Sequence, residues 1–340
     1  MRSLLITSAG SGVGSALMTA ISYSAHTYRV ITLSSHALTP VFSQAHAAYV
    51  SPLTSEAIAF KARLLEIVAR EQPALLLAGR DEELPLLAQW RPELEALNCK
   101  VPCAAPPLMK ACTDKYLSWK ALGPILSVVP TAYTPAEIDA LLQTYGFPLL
   151  LKPRSGFGSK GVLTVQTRAL LKAFLAEATL DYVVQPLLKP EAHTPHFPEY
   201  SGQILIGSEA TDISCFASSI RVEQGYTTHL YTLSPEHPFA QFLNTTAQKM
   251  AQAGFRGAYN LQAMKNAQGA FACFEINARC TGLTGLRAQL GWNEVDWLYE
   301  RFVLQISPPS PAVAPNQTAV LESTFHVLPP TENRNPMSGC

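Results

Sequence analysis

The chain has 340 residues, of which 48% are hydrophobic and only 15% are charged. This composition indicates a compact globular protein with two or three domains and excludes a disordered chain. Lys plus Arg and Asp plus Glu each number 25, and the zero net charge argues against an extended surface for nucleic acid or an anionic membrane.

The cysteines and the N-terminus bear on where the protein is found. The seven cysteines include no CxxC pair, and no stretch approaches about 18 uninterrupted apolar residues. The chain enters a predicted strand within its first residues and shows no signal-peptide pattern. We therefore predict a cytoplasmic protein with reduced thiols and no membrane or nucleic-acid partner.

Residues 1–110 are predicted to form an open parallel sheet with right-handed crossovers, because short apolar strands alternate with helices. The predicted elements, in chain order, are a strand at 3–8, a helix at 16–21, a strand at 28–33, a helix at 55–70 and a strand at 74–78.

The turn after the first strand contains Gly10-x-Gly12-x-x-Ser15, a spacing found in dinucleotide-binding turns. That fingerprint also needs an acid at the end of the second strand, or an arginine for NADP, and residues 33–36 supply neither. Two other interpretations stay open: a tight turn that packs a helix on its strand, or a helix N-terminus that faces an anionic substrate group.

Residues 111–188 are predicted to form a small unit built around a hairpin. Its predicted helices are 114–122, closed by Gly123-Pro124, a helix capped by Thr134, and 170–177, and its strands are 147–152, 162–165 and 182–185. The glycine-rich stretch 155–161 does not satisfy the Walker A pattern. It predicts a lid whose backbone N–H groups cover phosphates, with an ordinary hairpin as the alternative. The cofactor-binding residues predicted here are Lys152, Ser155, Gly156, Gly158 and Lys160.

Residues 189–306 carry predicted strands at 203–206, 213–219, 257–265 and 270–279, and helices at 238–253 and 292–304. In the last strand, Glu275, Asn277 and Arg279 share one face, whereas Phe274 and Ile276 face the other way. A carboxylate beside a side-chain carbonyl suits Mg²⁺, and a guanidinium suits phosphate. The turn at 267–269 makes a hairpin that sets Gln262 near Glu275, so Gln262 is a third oxygen ligand.

The order of these features resembles the ATP-grasp superfamily, and within it the branch related to the carbamoyl-phosphate synthetase large subunit. The motifs that carry the resemblance are Asp114-Lys115, Lys152 with the glycine-rich stretch, Val184-Gln185, Gln262 and Glu275-x-Asn277-x-Arg279. The resemblance implies a parallel-sheet (pre-ATP-grasp) domain at 1–110. A two-subdomain ATP-grasp fold would follow at 111–188 and 189–306, with a Pro-rich extension at 307–340.

The resemblance also implies roles for individual residues. Lys115 and Lys152 would contact ATP phosphates, and Arg279 would stabilise the transferring phosphoryl group. Val184, Gln185 and Leu187 would form the hinge that holds adenine, and Glu199 would bind the ribose. The ligands of one or two Mg²⁺ ions, or of Mn²⁺ in their place, would be Gln262, Glu275 and Asn277. The sequence departs from the family pattern at Pro186, where an acid is usual, and at Ala278, where proline is common.

The function implied is an ATP-dependent carboxylate–amine ligase that forms an acyl phosphate and releases ADP and phosphate. Its substrates would be a small carboxylic acid and an amine, a class that includes amino acids. The resemblance is also compatible with a homodimer. A catalytically silent ATP-binding module is the first alternative, and an NAD(P)-dependent oxidoreductase is the second.

Two arginines and an acidic cluster are candidates for holding the substrates. Arg221 is the first candidate anchor for the substrate carboxylate and Arg287 is the second, with an ordinary salt bridge as the alternative for each. The acidic run 81–83 follows a strand of the first domain. It is interpreted either as a site for the substrate amine or as charges that complement the start of a helix.

Overall fold

The structure, a computed structural model, describes residues 2–156, 161–178, 181–188, 197–223, 225–266, 268–307 and 313–320. Over these residues the chain forms a four-stranded, a three-stranded and a six-stranded sheet. The predicted combination of a parallel sheet followed by antiparallel sheets is confirmed. No helix in the described part of the chain is both long and apolar enough to cross a bilayer.

The first sheet is parallel, with the strand order β3-β2-β1-β4. Its strands are β1 (Arg2–Thr7), β2 (Tyr28–Ser34), β3 (Ala47–Val50) and β4 (Leu75–Ala78). The α-helices around it are α1 (Gly12–Ser22), α2 (Ala57–Glu71) and α3 (Leu84–Ala96), with 3₁₀ helices at Pro40–Gln44 and Asp81–Glu83. Leu4, Leu5 and Ile6 are fully buried, as expected for a strand covered on both faces.

The strand β3 is an addition to the three strands predicted for this sheet. It has only four residues, none of them fully buried, and it pairs with β2 at the edge of the sheet. Short, partly exposed edge strands lack the continuous apolar run on which the prediction depends.

A helical segment joins the first sheet to the second. It contains α4 (Pro106–Thr113), α5 (Lys115–Leu117), a π-helical turn (Ser118–Leu122) and α6 (Gly123–Leu126). The prediction that Gly123-Pro124 ends a helix is wrong, because both residues lie in the first turn of α6. Proline is tolerated in a first turn, where its missing N–H would have no partner within the helix.

The second sheet is antiparallel and has the order β6-β5-β7. Its elements are β5 (Leu149–Pro153), β6 (Leu163–Val165), β7 (Tyr182–Pro186), α7 (Pro135–Tyr145) and α8 (Arg168–Glu177). The predicted cap of α7 is confirmed, since Thr134 and Glu137 form a capping box. Leu149, Leu151 and Val184 belong to an apolar core that is separate from the other two cores.

The third sheet is antiparallel, with the order β12-β11-β8-β9-β10-β13. Its strands are β8 (Glu199–Ile206), β9 (Ile213–Glu223), β10 (Tyr226–Thr232), β11 (Gly257–Lys265), β12 (Phe271–Asn277) and β13 (Thr318–Val320). The accompanying helices are α9 (Pro238–Gln252), α10 (Thr284–Gln289), α11 (Glu294–Tyr299) and a π-helical turn (Glu300–Leu304).

Two elements of this part, β10 and α10, were not predicted from the sequence. The strand β10 contains the polar run Thr227-Thr228-His229, which breaks an apolar pattern, and α10 has only six residues. The predicted strand at 318–321 is present as β13, which pairs with β10. A strand from the predicted C-terminal extension therefore completes the six-stranded sheet.

The first and third sheets share two apolar cores. One core includes Leu64 and Leu94 of the first sheet's helices together with Tyr259 of β11. The other includes Leu17 of α1 and Phe216 of β9. The segment that follows β4 contacts the chain just beyond β12, through Asp81 and Arg279. The division at 1–110, 111–188 and 189–306 remains a prediction, with each sheet drawn mainly from one of these segments.

Candidate active site

The predicted oxygen ligands lie side by side on two paired strands. Gln262 of β11 pairs directly with Glu275 of β12, and Asn260 pairs with Asn277. Directly paired residues share a face with their Cβ atoms about 5 Å apart, so the predicted adjacency of Gln262 and Glu275 is confirmed. Asn277 Nδ2 donates to Glu275 Oε1 at 3.2 Å, which leaves the side-chain oxygen of Asn277, Oδ1, for a cation.

A β-bulge changes the predicted alternation on β12. The register shifts between Gln262 and Ala263, so Phe274 is the extra residue on the facing strand. We predicted that Phe274 and Ile276 face away from Glu275. The prediction is wrong for Phe274, whose ring lies beside the Lys152 amine in the cleft of Glu275. Ile276 pairs with Leu261 and packs against the apolar core, as the alternation requires. A bulge places two residues opposite one and re-aims the side chains around it, which a strict two-residue period cannot anticipate.

Two lysines extend towards Glu275 from neighbouring elements. Burial lowers the pKa of Lys152 on β5 to about 8, against the opposing effect of the Glu275 carboxylate. Its Nζ lies 5.1 Å from the centroid of the Phe274 ring. Burial also lowers the pKa of Lys115, again opposed by Glu275, and Lys115 Nζ donates to the Gly156 carbonyl at 3.0 Å. The two amines and the carboxylate therefore form one electrostatic cluster.

The position of Lys115 is fixed by contacts between α5 and the end of β5. Asp114 caps α5 by accepting from the N–H of Tyr116 at 3.0 Å, and its carboxylate pairs with Arg154 Nε at 2.9 Å. The N–H of Lys115 donates to the carbonyl oxygen of Arg154 at 3.0 Å. The Arg154 guanidinium lies 4.7 Å from the centre of the Tyr133 ring, which restrains it further.

Arg279 lies just beyond the end of β12 and is 8% exposed. Its Nη2 pairs with the carboxylate of Asp81, and its Nη1 donates to the carbonyl oxygen of Cys280 at 2.9 Å. The predicted strand 270–279 is three residues too long, one at its start and two at its end. The guanidinium is held by a loop of the first domain rather than by the ladder of the sheet.

The predicted adenine hinge is only partly compatible with the structure. The N–H and C=O groups of Val184 both bond to Ala132, at 2.8 and 2.9 Å, so neither is free for adenine. Gln185 is buried, donates to Thr131 Oγ1 at 2.9 Å and lines the cleft beside Glu275. Leu187 follows β7 and is half-buried, and its contact with adenine remains a prediction.

Glu199, the predicted ribose ligand, is the first residue of β8 and pairs with Ile220 of β9. Burial raises the pKa of Glu199, the Glu275 carboxylate raises it further, and Lys152 lowers it. Glu199 therefore lies within electrostatic reach of the cleft, and its role remains a prediction.

The two candidate carboxylate anchors lie elsewhere. Arg221 pairs with His229 in the β9–β10 ladder and alternates with Ile220, the partner of Glu199, so it extends from the opposite face of the sheet. Its side chain is 52% exposed, and its Nη1 lies 3.9 Å from Glu223. Arg287 is fully buried and pairs with Glu294 at 2.6 Å. Strand alternation directs Arg221 away from Glu275. The Arg287 guanidinium is engaged by Glu294, Gln203 and Thr281, and its contact with the substrate remains a prediction.

The two glycine-rich turns have different surroundings. In the first turn a Cβ on Gly14 would lie 2.2 Å from the carbonyl oxygen of Ala9, which supports the interpretation of a tight packing turn. In the second turn Ser155 and Gly156 are exposed, Gly156 has a φ of +126°, and a Cβ there would meet no atom within 4 Å in the part of the chain that the structure describes. Gly158 and Lys160 lie outside the described residues.

The acidic run at 81–83 has a divided role. Asp81 pairs with Arg279 and lines the cleft. Glu83 is fully buried and accepts from the hydroxyls of Thr7 and Ser8 at 2.7 and 2.5 Å, and burial raises its pKa to about 7. These contacts cross between β1 and the start of α3, and neither interpretation of the run from sequence included them.

The donor set of the cleft fits a magnesium ion. Glu275, Gln262 and Asn277 offer hard oxygen atoms and leave room for water or phosphate oxygens, the environment in which Mg²⁺ is usually bound. Asn260 Oδ1 is a further buried oxygen on the same face, and it has no hydrogen-bond partner among the described residues. A buried acceptor without a partner is costly, so this atom is suited to a water molecule in the coordination sphere.

Comparison with solved structures decides the fold. N5-carboxyaminoimidazole synthetase from Staphylococcus aureus, complexed with ADP, matches with a TM-score of 0.72 and 16% identity over 92% of this chain and 80% of that chain. The ATP-complexed carboxyaminoimidazole ribonucleotide synthase from Aspergillus clavatus has a TM-score of 0.69 and 14% identity over 93% and 80% of the two chains.

The chain has the ATP-grasp fold. A biotin carboxylase domain from Hydrogenobacter thermophilus, a further example of this ATP-grasp architecture, matches with a TM-score of 0.67 and 14% identity over 88% of this chain and 69% of that one. No family model and no curated protein sequence matches the chain. At these identities the likeness establishes the ATP-grasp fold and leaves the reaction to be argued from the cleft.

Proposed function

We propose that the chain is an ATP-dependent ligase that joins a carboxylic acid to an amine through an acyl phosphate and releases ADP and phosphate. One observation carries the proposal: the Glu275 carboxylate lies beside Gln262 and Asn277 and faces Lys115 and Lys152. Hard oxygen ligands and two amines around one cleft are suited to a metal-bound nucleotide phosphate.

The ligands of the solved neighbours support the same reaction class. The S. aureus enzyme is complexed with ADP, the A. clavatus enzyme with ATP, and the H. thermophilus domain with MgADP and bicarbonate. These three neighbours are a synthetase, a synthase and a carboxylase. In the present chain Lys115, Lys152 and Glu275 supply the charges on which such chemistry depends.

The reaction requires alignment and charge neutralisation more than a covalent nucleophile. In the first step an oxygen of the acid bonds to the γ-phosphorus of ATP while the bond from that phosphorus to the ADP oxygen breaks. In the second step the amine nitrogen bonds to the acyl carbon, phosphate leaves with the electrons of the C–O bond, and the nitrogen loses a proton.

The residues of the cleft have distinct roles in this proposal. Lys115 and Lys152 bind phosphate oxygens, and Arg279 stabilises the charge of the phosphoryl group in transit. Gln262, Glu275 and Asn277 hold one or two Mg²⁺ ions, or Mn²⁺, which when bound supply further neutralisation of phosphate charge. The lid predicted at 155–161, of which only 155, 156 and 161 are described, would cover the phosphates and exclude water from the acyl phosphate.

Nucleotide binding is the first test. A ligand that binds only the folded state raises the melting temperature, so ATP with Mg²⁺ is expected to raise it and NAD⁺ to leave it unchanged. Stabilisation by NAD⁺ alone would instead support the oxidoreductase alternative. Glu223→Gln is a suitable control variant for the ATP experiment, since Glu223 is exposed on β9 and lies 3.9 Å from Arg221.

The reaction itself is tested by ADP release over a panel of carboxylic acids crossed with amines. The expected result is ADP release that depends on the acid, with an acyl hydroxamate forming when hydroxylamine replaces the amine. Tight MgATP binding without acid-dependent ADP release anywhere in a broad panel would favour the silent ATP-binding module.

The assembly and the location are also proposals. A dimer is described for the H. thermophilus domain, and a homodimer is proposed here on the same basis. Light scattering during size-exclusion chromatography tests it, and a monomeric mass at micromolar concentration would contradict it. A cytoplasmic location is proposed from the sequence, and the cysteines of the described residues are free thiols.

A further inference from the structure

The guanidinium of Arg279 is held by a residue 198 positions away in the sequence. Asp81 pairs with Nη2 of Arg279, and the two side chains are only 18% and 8% exposed. The backbone carbonyl of Cys280 accepts from Nη1 at 2.9 Å. Nε is buried and has no hydrogen-bond partner among the described residues. The orientation of the guanidinium plane therefore depends on Asp81 and one backbone oxygen.

The loop that carries Asp81 has rigid support. Gly79 packs so closely on β1 that a Cβ there would lie 2.5 Å from the carbonyl oxygen of Thr7. Ser11 Oγ donates to the carbonyl oxygen of Gly79 at 2.8 Å. Two residues beyond Asp81, the buried Glu83 is held by the hydroxyls of Thr7 and Ser8. Such fixed supporting contacts are what a precisely placed side chain needs.

Asp81 also lies among the groups of the proposed ATP site. It lines the cleft with Lys115, Glu275 and Asn277, and its carboxylate raises the pKa of Lys115, against the effect of burial. An additional carboxylate in a cleft for phosphates opposes binding of an anionic ligand by charge repulsion. A benefit other than nucleotide affinity is therefore needed to explain this carboxylate.

We propose that Asp81 is a positioning residue that fixes the guanidinium of Arg279 for phosphoryl transfer. The inference rests on the function proposed above. Arginine presents its N–H groups in a rigid planar fork, so one bonded carboxylate determines the direction of the remaining groups. Because the pair crosses from the first domain to the end of β12, the first domain takes part in aligning the reacting phosphate.

The positioning role predicts that one substitution lowers turnover without lowering nucleotide affinity. Asp81→Asn keeps the size of the side chain but removes its charge and loosens Arg279. MgADP affinity, measured by titration calorimetry, is expected to stay unchanged or to increase up to about threefold, because a repulsive charge is lost. Acid-dependent kcat is expected to fall about 10- to 100-fold, because misplacement by about 1 Å has effects of this order. A merely structural role would weaken both.

Three further variants complete the experiment. Asp81→Glu is expected to restore part of the lost turnover, and it carries the test if Asp81→Asn does not fold. Asp139→Asn removes an exposed carboxylate that pairs with Arg168 at 2.6 Å outside the cleft, and as the matched control it should stay within about twofold of wild type. In an Arg279→Lys background, Asp81→Asn should have little additional effect on kcat, because residues that act through one another are not additive.

The outcomes separate the two proposals. If wild type shows acid-dependent turnover and Asp81→Asn retains it within about twofold, the positioning role is overturned and the ligase function stands. Full additivity with Arg279→Lys, or a loss of MgADP affinity parallel to the loss of turnover, also overturns the positioning role. If wild type shows no acid-dependent turnover, the ligase function itself fails.

Discussion

Two glycine-rich turns in this chain each follow a strand and lie near a glutamate, but they differ in the free space around them. The turn after β1 is closed. Its glutamate, Glu83, is fully buried and accepts from two hydroxyls, and a Cβ on Gly14 would lie 2.2 Å from a backbone oxygen. The turn after β5 is open at Gly156: a Cβ there would meet no atom of the described residues within 4 Å, and Lys115 beside it faces Glu275.

The difference shows that glycine content does not by itself indicate phosphate binding. In the closed turn glycine permits close packing of backbone on backbone, whereas at Gly156 it permits a positive φ beside the cleft. Substitutions at the closed turn should therefore affect stability, and substitutions around the open turn should affect nucleotide binding and turnover.

The largest effect is expected at the glutamate of the open cleft. Glu275→Gln removes the carboxylate that the proposed metal site requires, and turnover is expected to fall about a thousandfold, or about 4 kcal/mol. The free energy of unfolding should change by no more than about 0.5 kcal/mol, because the side chain is only half-buried. Steady-state ADP release and urea unfolding measure the two quantities. Near-normal ADP release would contradict the assignment, and Glu223→Gln is the matched control.

The second effect concerns the packing of the closed turn. Gly14→Ala forces a Cβ against the Ala9 carbonyl and should lower the free energy of unfolding by about 3 kcal/mol. Gly12→Ala, two residues earlier, meets no atom within 4 Å and should stay within about 0.5 kcal/mol of wild type. Urea denaturation measures both. Equal stabilities of the two variants would show that the turn can rearrange, and lost MgATP binding by Gly12→Ala would show that it contacts the nucleotide.

The third effect is a pH dependence of stability from Glu83. Burial raises its pKa to about 7 in the folded state, above the ordinary 4.5. The folded state therefore binds more protons than the unfolded state between these values, and stability from this group falls as pH rises from 4.5 to 7. Between pH 5 and pH 8, wild type should lose about 2 kcal/mol more than Glu83→Gln. Parallel losses in urea unfolding of the two proteins would contradict the shift.

The smallest effect is a pH dependence of nucleotide affinity from Lys152. Burial lowers its pKa to about 8, so the free protein loses the ammonium charge as pH rises through that value. A phosphate needs the charged form, so the Kd for MgADP should rise about tenfold for each pH unit above the pKa. Lys152→Arg stays charged and should show a flatter profile in calorimetry. An identical profile in both proteins would assign the titration to another group.

Much of the fold could be predicted from local pattern. The strands around Leu5, Leu76 and Leu151 are continuous apolar runs, and the cap at Thr134 is a local motif. The adjacency of Gln262 and Glu275 followed from a short turn between two strands, because a hairpin determines its own register. The edge strand β3 and the further turn of α6 were missed, since the first has weak periodicity and the second begins with a glycine and a proline.

The sequence by itself determined most elements of the first sheet and the pairing of Gln262 with Glu275, because each depends on residues close together in the chain. The fold class followed from the order of the motifs along the chain, and the roles of Gln262, Glu275 and Asn277 as metal ligands remain a prediction. Only the tertiary structure decided that Asp81 holds Arg279 and that the backbone N–H and C=O groups of Val184 are bonded to Ala132. It also decided that Arg221 lies on the opposite face of its sheet and that a bulge turns Phe274 into the cleft. These contacts join distant segments or break the regular strand period. Neither is encoded in the spacing of neighbouring residues, which is the only information that local pattern carries.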